Sequence, residues 1–138
     1  MSFRIDPRLA ADTHPVAELV LSRLLLMDDA RFPWLILVPR IVGARELIDL
    51  DLDDRRHLLD ELSTIGRTLE ALLRPDKLNI AALGNEVTQL HVHVIARYSK
   101  DAAWPQPVWG HGQRQPYEAC ARERRVSELR NALTASPG

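Results

Sequence analysis

Between Gln89 and Arg97 apolar and polar residues alternate with a period of two, the period of a β-strand. Leu90, Val92, Val94 and Ala96 share one face, and Gln89, His91, His93 and Arg97 share the other. The first set suits a core; the second lines up a carboxamide, two imidazoles and a guanidinium. Upstream, Leu78 to Leu83 reads as a strand, Gly84-Asn85 as a turn and Val87 to Arg97 as its long partner. Two more apolar runs, Leu21 to Met27 and Trp34 to Val38, flank the polar Asp28-Asp29 turn and predict adjacent antiparallel strands. The second run does not alternate, which predicts burial on both faces. His14-Pro15-Val16-Ala17-Glu18 reads as a turn or one short helix, with Pro15 at its first helical position.

From Asp51 the period lengthens to 3.6. Leu58, Leu62, Ile65, Leu69 and Leu72 form one stripe, while His57 falls off it and is expected on the solvated surface. Asp51 or Asp53 caps the start, and Pro75 ends the helix near Arg74. Trp104 to Gly112 is too rich in Pro and Gly for regular structure, and its two tryptophans are expected to cover something apolar. Pro116 opens a charged helix to about Leu133, with Tyr117, Val126, Leu129 and Leu133 on its buried side. The order predicts an α+β fold: an antiparallel β-sheet with one main helix packed on it and a C-terminal helix.

The 138 residues suit one domain over 1–138, with a core at about 20–110 and a C-terminal loop and helix over 111–138. Eighteen Lys plus Arg against 19 Asp plus Glu leave a net charge of −1, so no global field draws in nucleic acid or an anionic membrane. Any phosphate must be held by a local site. The single cysteine, Cys120, cannot form an internal disulfide and is expected to pack inside a helix contact. The start of the chain has no long apolar run, and no segment approaches the ~18 apolar residues of a membrane span. A soluble cytoplasmic protein is expected.

Three readings of the His-x-His face are open. The two histidines can simply face solvent. They can share a metal ion, which needs further ligands for which Glu86 and His111 are the candidates, although Ala96 and Arg97 stand where a carboxylate would serve. Or one imidazole attacks phosphorus while the other donates to the anion, with backbone N–H groups of the Gly84-Asn85 turn as further donors. His111, in a Gly-flanked loop, is expected to be solvated.

The stretch Gly84-Asn85-Glu86-Val87-Thr88-Gln89-Leu90-His91-Val92-His93-Val94-Ile95-Ala96-Arg97 resembles the signature of the histidine triad family. There a His-φ-His-φ-His-φ-φ strand, φ being apolar, follows a Gly-Gln-Ser/Thr-Val turn. Phe32-Pro33-Trp34-Leu35-Ile36-Leu37-Val38-Pro39 resembles that family's Pro-Gly-His strand ending in Ile-Pro, and the likeness spans roughly residues 20 to 110. The resemblance implies a nucleotide-binding hydrolase or nucleotidyl transferase acting at the α-phosphate of a nucleotide conjugate, of the dinucleoside polyphosphate or nucleoside phosphoramidate type. The middle histidine, His91, would form a covalent nucleotidyl-histidine, with His93 on the phosphate oxygens and Gln89 in support. Asp28, with Asp29 as the alternative, would bond the ribose; Gly84, Asn85 and Glu86 would line the phosphate site. Trp34 would stack on a base or serve as a core or dimer-interface residue, and Arg97 would contact phosphate or pair at the surface. A homodimer is implied, and no cofactor or metal.

The departures are specific. Gln89 replaces the first triad histidine with a side chain that donates and accepts but does not titrate. Glu86 stands where the family uses Ser or Thr, and its carboxylate would repel phosphate unless it is protonated or turned away. Asn85 replaces a glutamine, and Trp34 replaces the strand histidine. They leave a second reading, a nucleotide-binding regulatory module without efficient catalysis.

Overall fold

The computed structural model describes residues 2–135; Met1 and the last three residues of the expected C-terminal segment lie outside the described residues. The Trp34 run forms β3 (Trp34–Pro39) and the histidine stretch forms β5 (Val92–Arg97), and every residue of both is buried. They pair antiparallel with Ile36 opposite His93 and Trp34 opposite Ile95. Around them the sheet has the order β1-β2-β3-β5-β4, where β1 is Thr13–Glu18, β2 is Ser22–Met27 and β4 is Lys77–Ala81. The α+β class with an antiparallel sheet is as the alternation predicts.

The main helix, α2 (Leu52–Leu73), is capped by Asp51, whose carboxylate accepts from the Asp54 N–H at 2.8 Å. It closes at Arg74 in the left-handed region, φ 48°, just before Pro75. Leu58, Ile65 and Leu69 are buried against the sheet, but Leu72 is exposed. Glu61 and Thr68 share the buried side instead. Each carries its own bond inward: Glu61 accepts from the Leu21 N–H at 2.7 Å, and Thr68 donates to the Thr64 carbonyl at 2.8 Å. His57 is exposed, as expected.

Four local expectations are corrected. His14 to Glu18 is not a turn or helix but the edge strand β1, with a bulge between Pro15 and Ala17; an edge with a bulge is where a residue lacking an N–H fits a sheet. The partner of β4 starts at Val92 rather than Val87, because the Leu90 N–H bonds to the Ala44 carbonyl at 3.0 Å and the chain over 82–91 leaves the ladder. The C-terminal helix, α3 (Ala119–Ala135), begins after Pro116, since the Tyr117 N–H is taken by Asp28 at 2.9 Å. It buries Val126 and Leu129, with Tyr117 and Leu133 half-buried against them. Cys120 lies exposed on that helix and packs against nothing as a core residue would.

Both faces of the sheet are covered. Under α2 lies one cluster that includes Leu24, Leu37, Leu90, Val92 and Val94. On the opposite face, which the alternation alone marks as polar, a second cluster joins Leu9, Leu25, Phe32, Trp34, Ile36, Ile95 and Val108. Phe3, Ile5 and the short helix α1 (Pro7–Ala11) contribute to it, so the core reaches well before residue 20. Trp109 packs on it too, as expected of a tryptophan in that loop, whereas Trp104 is partly exposed. Among the described residues no helix is long and apolar enough to cross a membrane.

Arg97 is 2 % exposed and does not line the cavity that holds His91 and His93. Its guanidinium donates to Asp101 at 2.7 and 3.0 Å, to Asn79 at 2.8 Å and to the Gln106 carbonyl at 2.8 Å, and sits over the rings of Phe32 and Trp104. The expected phosphate or surface role is thereby corrected. Burial pushes the Asp101 carboxyl upward, but the Arg97 fork and the N–H groups of Tyr98, Ala103 and Trp104 outweigh it and hold it at about 2. Arg97→Ala is expected to lower stability by roughly 3–5 kcal/mol, because the buried carboxylate loses its partner. Arg97→Lys should recover only part of this, since an ammonium cannot fork. Urea unfolding at pH 7 measures both. The carboxyl being depressed, its contribution is complete above its ordinary value of 3.8 and is lost as pH falls toward about 2.

Candidate active site

His91 and His93 stand where β5 enters the core, at the floor of a cavity of about 370 Å³. The loop Gly84-Asn85-Glu86-Val87 forms one wall; Arg8, Leu9 and Asp12 form another, and Trp109-Gly110 a third. Gly84 has φ +70°, a backbone that a side chain would strain, and this turns the loop toward the histidines. Both imidazoles are buried, 7 and 4 % exposed, with ring centroids 4.9 Å apart and edges set against faces.

Neighbours fix which nitrogen of each ring is free. The Nδ1 of His91 lies 2.7 Å from the backbone carbonyl of Gln89. A carbonyl only accepts, so this nitrogen carries a proton and, in the neutral ring, Nε2 keeps its lone pair. For His93 the arrangement is reversed. The Trp34 indole N–H donates to its Nδ1 at 2.9 Å, which leaves Nε2 carrying the proton. Burial, reinforced by the neighbouring His91, pushes the His93 imidazole from 6.5 down to about 3. A neutral His91 thus offers a lone pair where His93 offers an N–H, the two rings side by side.

The remaining expected site residues divide. Gly84, Asn85 and Glu86 are brought to the cavity. Trp34 is not a base platform; it is buried behind His93 with Trp109 edge-on to its ring. The Gln89 side chain does not bond the histidines, because the chain has left the ladder there: it accepts from the Asp6 N–H at 2.8 Å and donates to the Arg4 carbonyl at 2.7 Å. Asp28 is directed away, accepting from the Tyr117 N–H and lying 3.1 Å from His14 Nε2, while Asp29 is held by Arg31 at 2.8 Å. Neither carboxylate lines this cavity. His111 is exposed, and among the described residues no three His, Cys, Asp or Glu side chains gather to hold a metal ion.

The HIT domain profile matches residues 8–100. The chain belongs to the histidine triad family. A histidine triad protein from Bradyrhizobium japonicum is 46 % identical, with 96 % of this chain and 99 % of that one covered and a TM-score of 0.94. One from Marinobacter aquaeolei VT8 is 43 % identical over 97 % and 98 % of the two chains, TM-score 0.94. One from Sinorhizobium meliloti 1021 is 39 % identical over 94 % and 96 %, TM-score 0.92. No curated protein matches the chain.

In this histidine triad protein the sequence reading missed Arg8, Leu9, Asp12 and Trp109 as wall residues. Trp109 was legible as a covering residue, though not what it covers. The N-terminal residues carried only a weak sign, an Asp6-Pro7 helix start, and nothing local ties them to a strand more than eighty residues on.

The His93 ring is expected to stay neutral with its proton on Nε2 from pH 8 to 5, read from imidazole ¹⁵N shifts. A histidine depressed on folding contributes stability above its ordinary 6.5 that drains away as pH falls toward about 3. Trp34→Phe should let the other tautomer of His93 appear and cost about 1–3 kcal/mol, the price of an unsatisfied buried acceptor.

Proposed function

We propose that this chain is a nucleotide-binding hydrolase or nucleotidyl transferase that cleaves a nucleotide conjugate at its α-phosphate. The observation that carries this reading is the bond from His91 Nδ1 to the Gln89 carbonyl, which aims a lone pair at the cavity from Nε2. In the first step Nε2 bonds to the α-phosphorus and the P–O or P–N bond to the leaving group breaks, that group leaving with the electron pair and taking a proton from solvent. The positive charge arising on the imidazole is stabilised through Nδ1–H by the same carbonyl. His93 Nε2–H donates to the phosphoryl oxygens as they crowd together. Water then attacks phosphorus and gives up a proton to solvent, the P–N bond to His91 breaks with its electron pair returning to Nε2, and the nucleoside monophosphate leaves. An alcohol or phosphate taking the place of water makes the same chemistry a transfer.

A competing reading, a nucleotide-binding module with little turnover, draws on Glu86, an exposed carboxylate on the cavity wall that would repel a dianionic phosphate. One experiment separates the two. Protein mixed with a dinucleoside polyphosphate or a nucleoside phosphoramidate and quenched within a second is expected to carry one nucleotidyl group on His91 by mass spectrometry. His91→Ala should lose the adduct and at least about a thousandfold in kcat. Binding of nucleoside monophosphates with neither adduct nor turnover across both substrate types would establish the module instead.

We also propose that two copies pair, since β4 is an edge strand whose Ile80 is 51 % exposed. Sedimentation at micromolar concentration is expected to give twice the chain mass, and Ile80→Lys to shift it toward the single chain.

A further inference from the structure

The residue that holds the nucleophile also holds the far end of the chain. With its backbone carbonyl Gln89 accepts from His91; with its side chain it accepts from the Asp6 N–H and donates to the Arg4 carbonyl, closing a loop across more than eighty residues. Both polar ends of the carboxamide are used, and both partners are main-chain groups, so the contact sets where the segment runs rather than what it contains. From there the constraint passes on. Asp6 accepts from the backbone N–H of Arg8 at 2.9 Å and from its side-chain Nε at 3.4 Å. Arg8 lines the cavity with His91 and His93.

Arg8 is the only cation lining that cavity among the described residues. Asp12, on the same wall, is already paired with Arg114 at 3.0 Å, and Glu86 stands in the loop across from it. The two terminal nitrogens of Arg8 donate to no protein group among the described residues, and its side chain is largely exposed. Two N–H donors on a planar fork, held at Nε from behind and open in front, match the two oxygens of a phosphate. A net charge of −1 supplies no global field for anions, so the attraction has to come from groups at the site itself.

We propose that Arg8 is the phosphate-binding side chain of this cavity and that Gln89 is the residue that positions it. This rests on the nucleotide reading above and names how the phosphate is held. The carboxamide at residue 89 is thus a clamp on the N-terminal segment, and it acts on the site through Arg8 and not on the imidazoles.

Calorimetry on the full chain with adenosine and guanosine monophosphates, and with the corresponding nucleosides, tests it. Arg8→Ala is expected to weaken the preferred monophosphate at least tenfold and its nucleoside less than twofold, with Arg8→Lys in between. Gln89→Ala should reproduce the phosphate-selective loss, and the double substitution should be no weaker than Arg8→Ala alone, because the two act in series. Hydrogen exchange at the amides of residues 4–8 should quicken in Gln89→Ala while β5 stays protected, which separates a released segment from a damaged fold. Monophosphate binding unchanged in Arg8→Ala, or nucleoside and monophosphate weakened alike, overturns the role of Arg8. Losses that multiply in the double substitution overturn the role of Gln89. If the wild-type chain binds no monophosphate, the functional reading falls and this inference with it; if the His91 adduct forms and Arg8→Ala is silent, only the inference falls.

Discussion

Burial of both faces of the β3–β5 pair is the constraint on which the rest depends. Once every residue of those strands is out of water, each polar side chain there needs a fixed partner within reach. His93 finds the Trp34 indole one strand away, and Arg97 finds Asp101, Asn79 and the Gln106 carbonyl. The same desolvation keeps His93 neutral and makes its remaining N–H a donor of known direction. A solvated strand face with the same sequence would leave the His93 ring free to turn and to take up a proton near neutrality. The covering layer, supplied by α1 and the loop bearing Trp109, is therefore as much a part of the chemistry as the histidines.

Much of this was legible in the sequence. The two-residue period gave the correct facing of Leu90, Val92 and Val94 against His93, and the continuous apolar run at Trp34 announced a strand buried on both sides. Helix α2 followed from its stripe and from Asp51 and Pro75. The failures share a cause. Local patterns cannot report which distant backbone group competes for a donor: Ala44 takes the Leu90 N–H and so shortens β5, and Asp28 takes the Tyr117 N–H and so delays α3. Arg97 looked like a phosphate or surface residue because its strand face looked polar, and only the second core cluster reverses that.

The family resemblance picked out the two imidazoles that line the cavity and misplaced several neighbours. Asp28 occupies a turn whose carboxylate is spent on the start of the C-terminal segment, and Trp34 serves the histidine behind which it lies rather than a base in the open. Glu86 remains on the cavity wall, where the expected hydroxyl has become a carboxylate. These are changes in the surroundings of a retained pair of imidazoles.

The bond that orients His91 is made by peptide backbone. Every amino acid supplies the same carbonyl at residue 89, so no point substitution there can delete the acceptor, only displace it. Such a bond tolerates drift in the side chain at residue 89 while the orientation of His91 survives. An imidazole can be exchanged for a carboxamide, and the carboxamide, no longer needed beside its neighbours, is free to take up work elsewhere in the molecule.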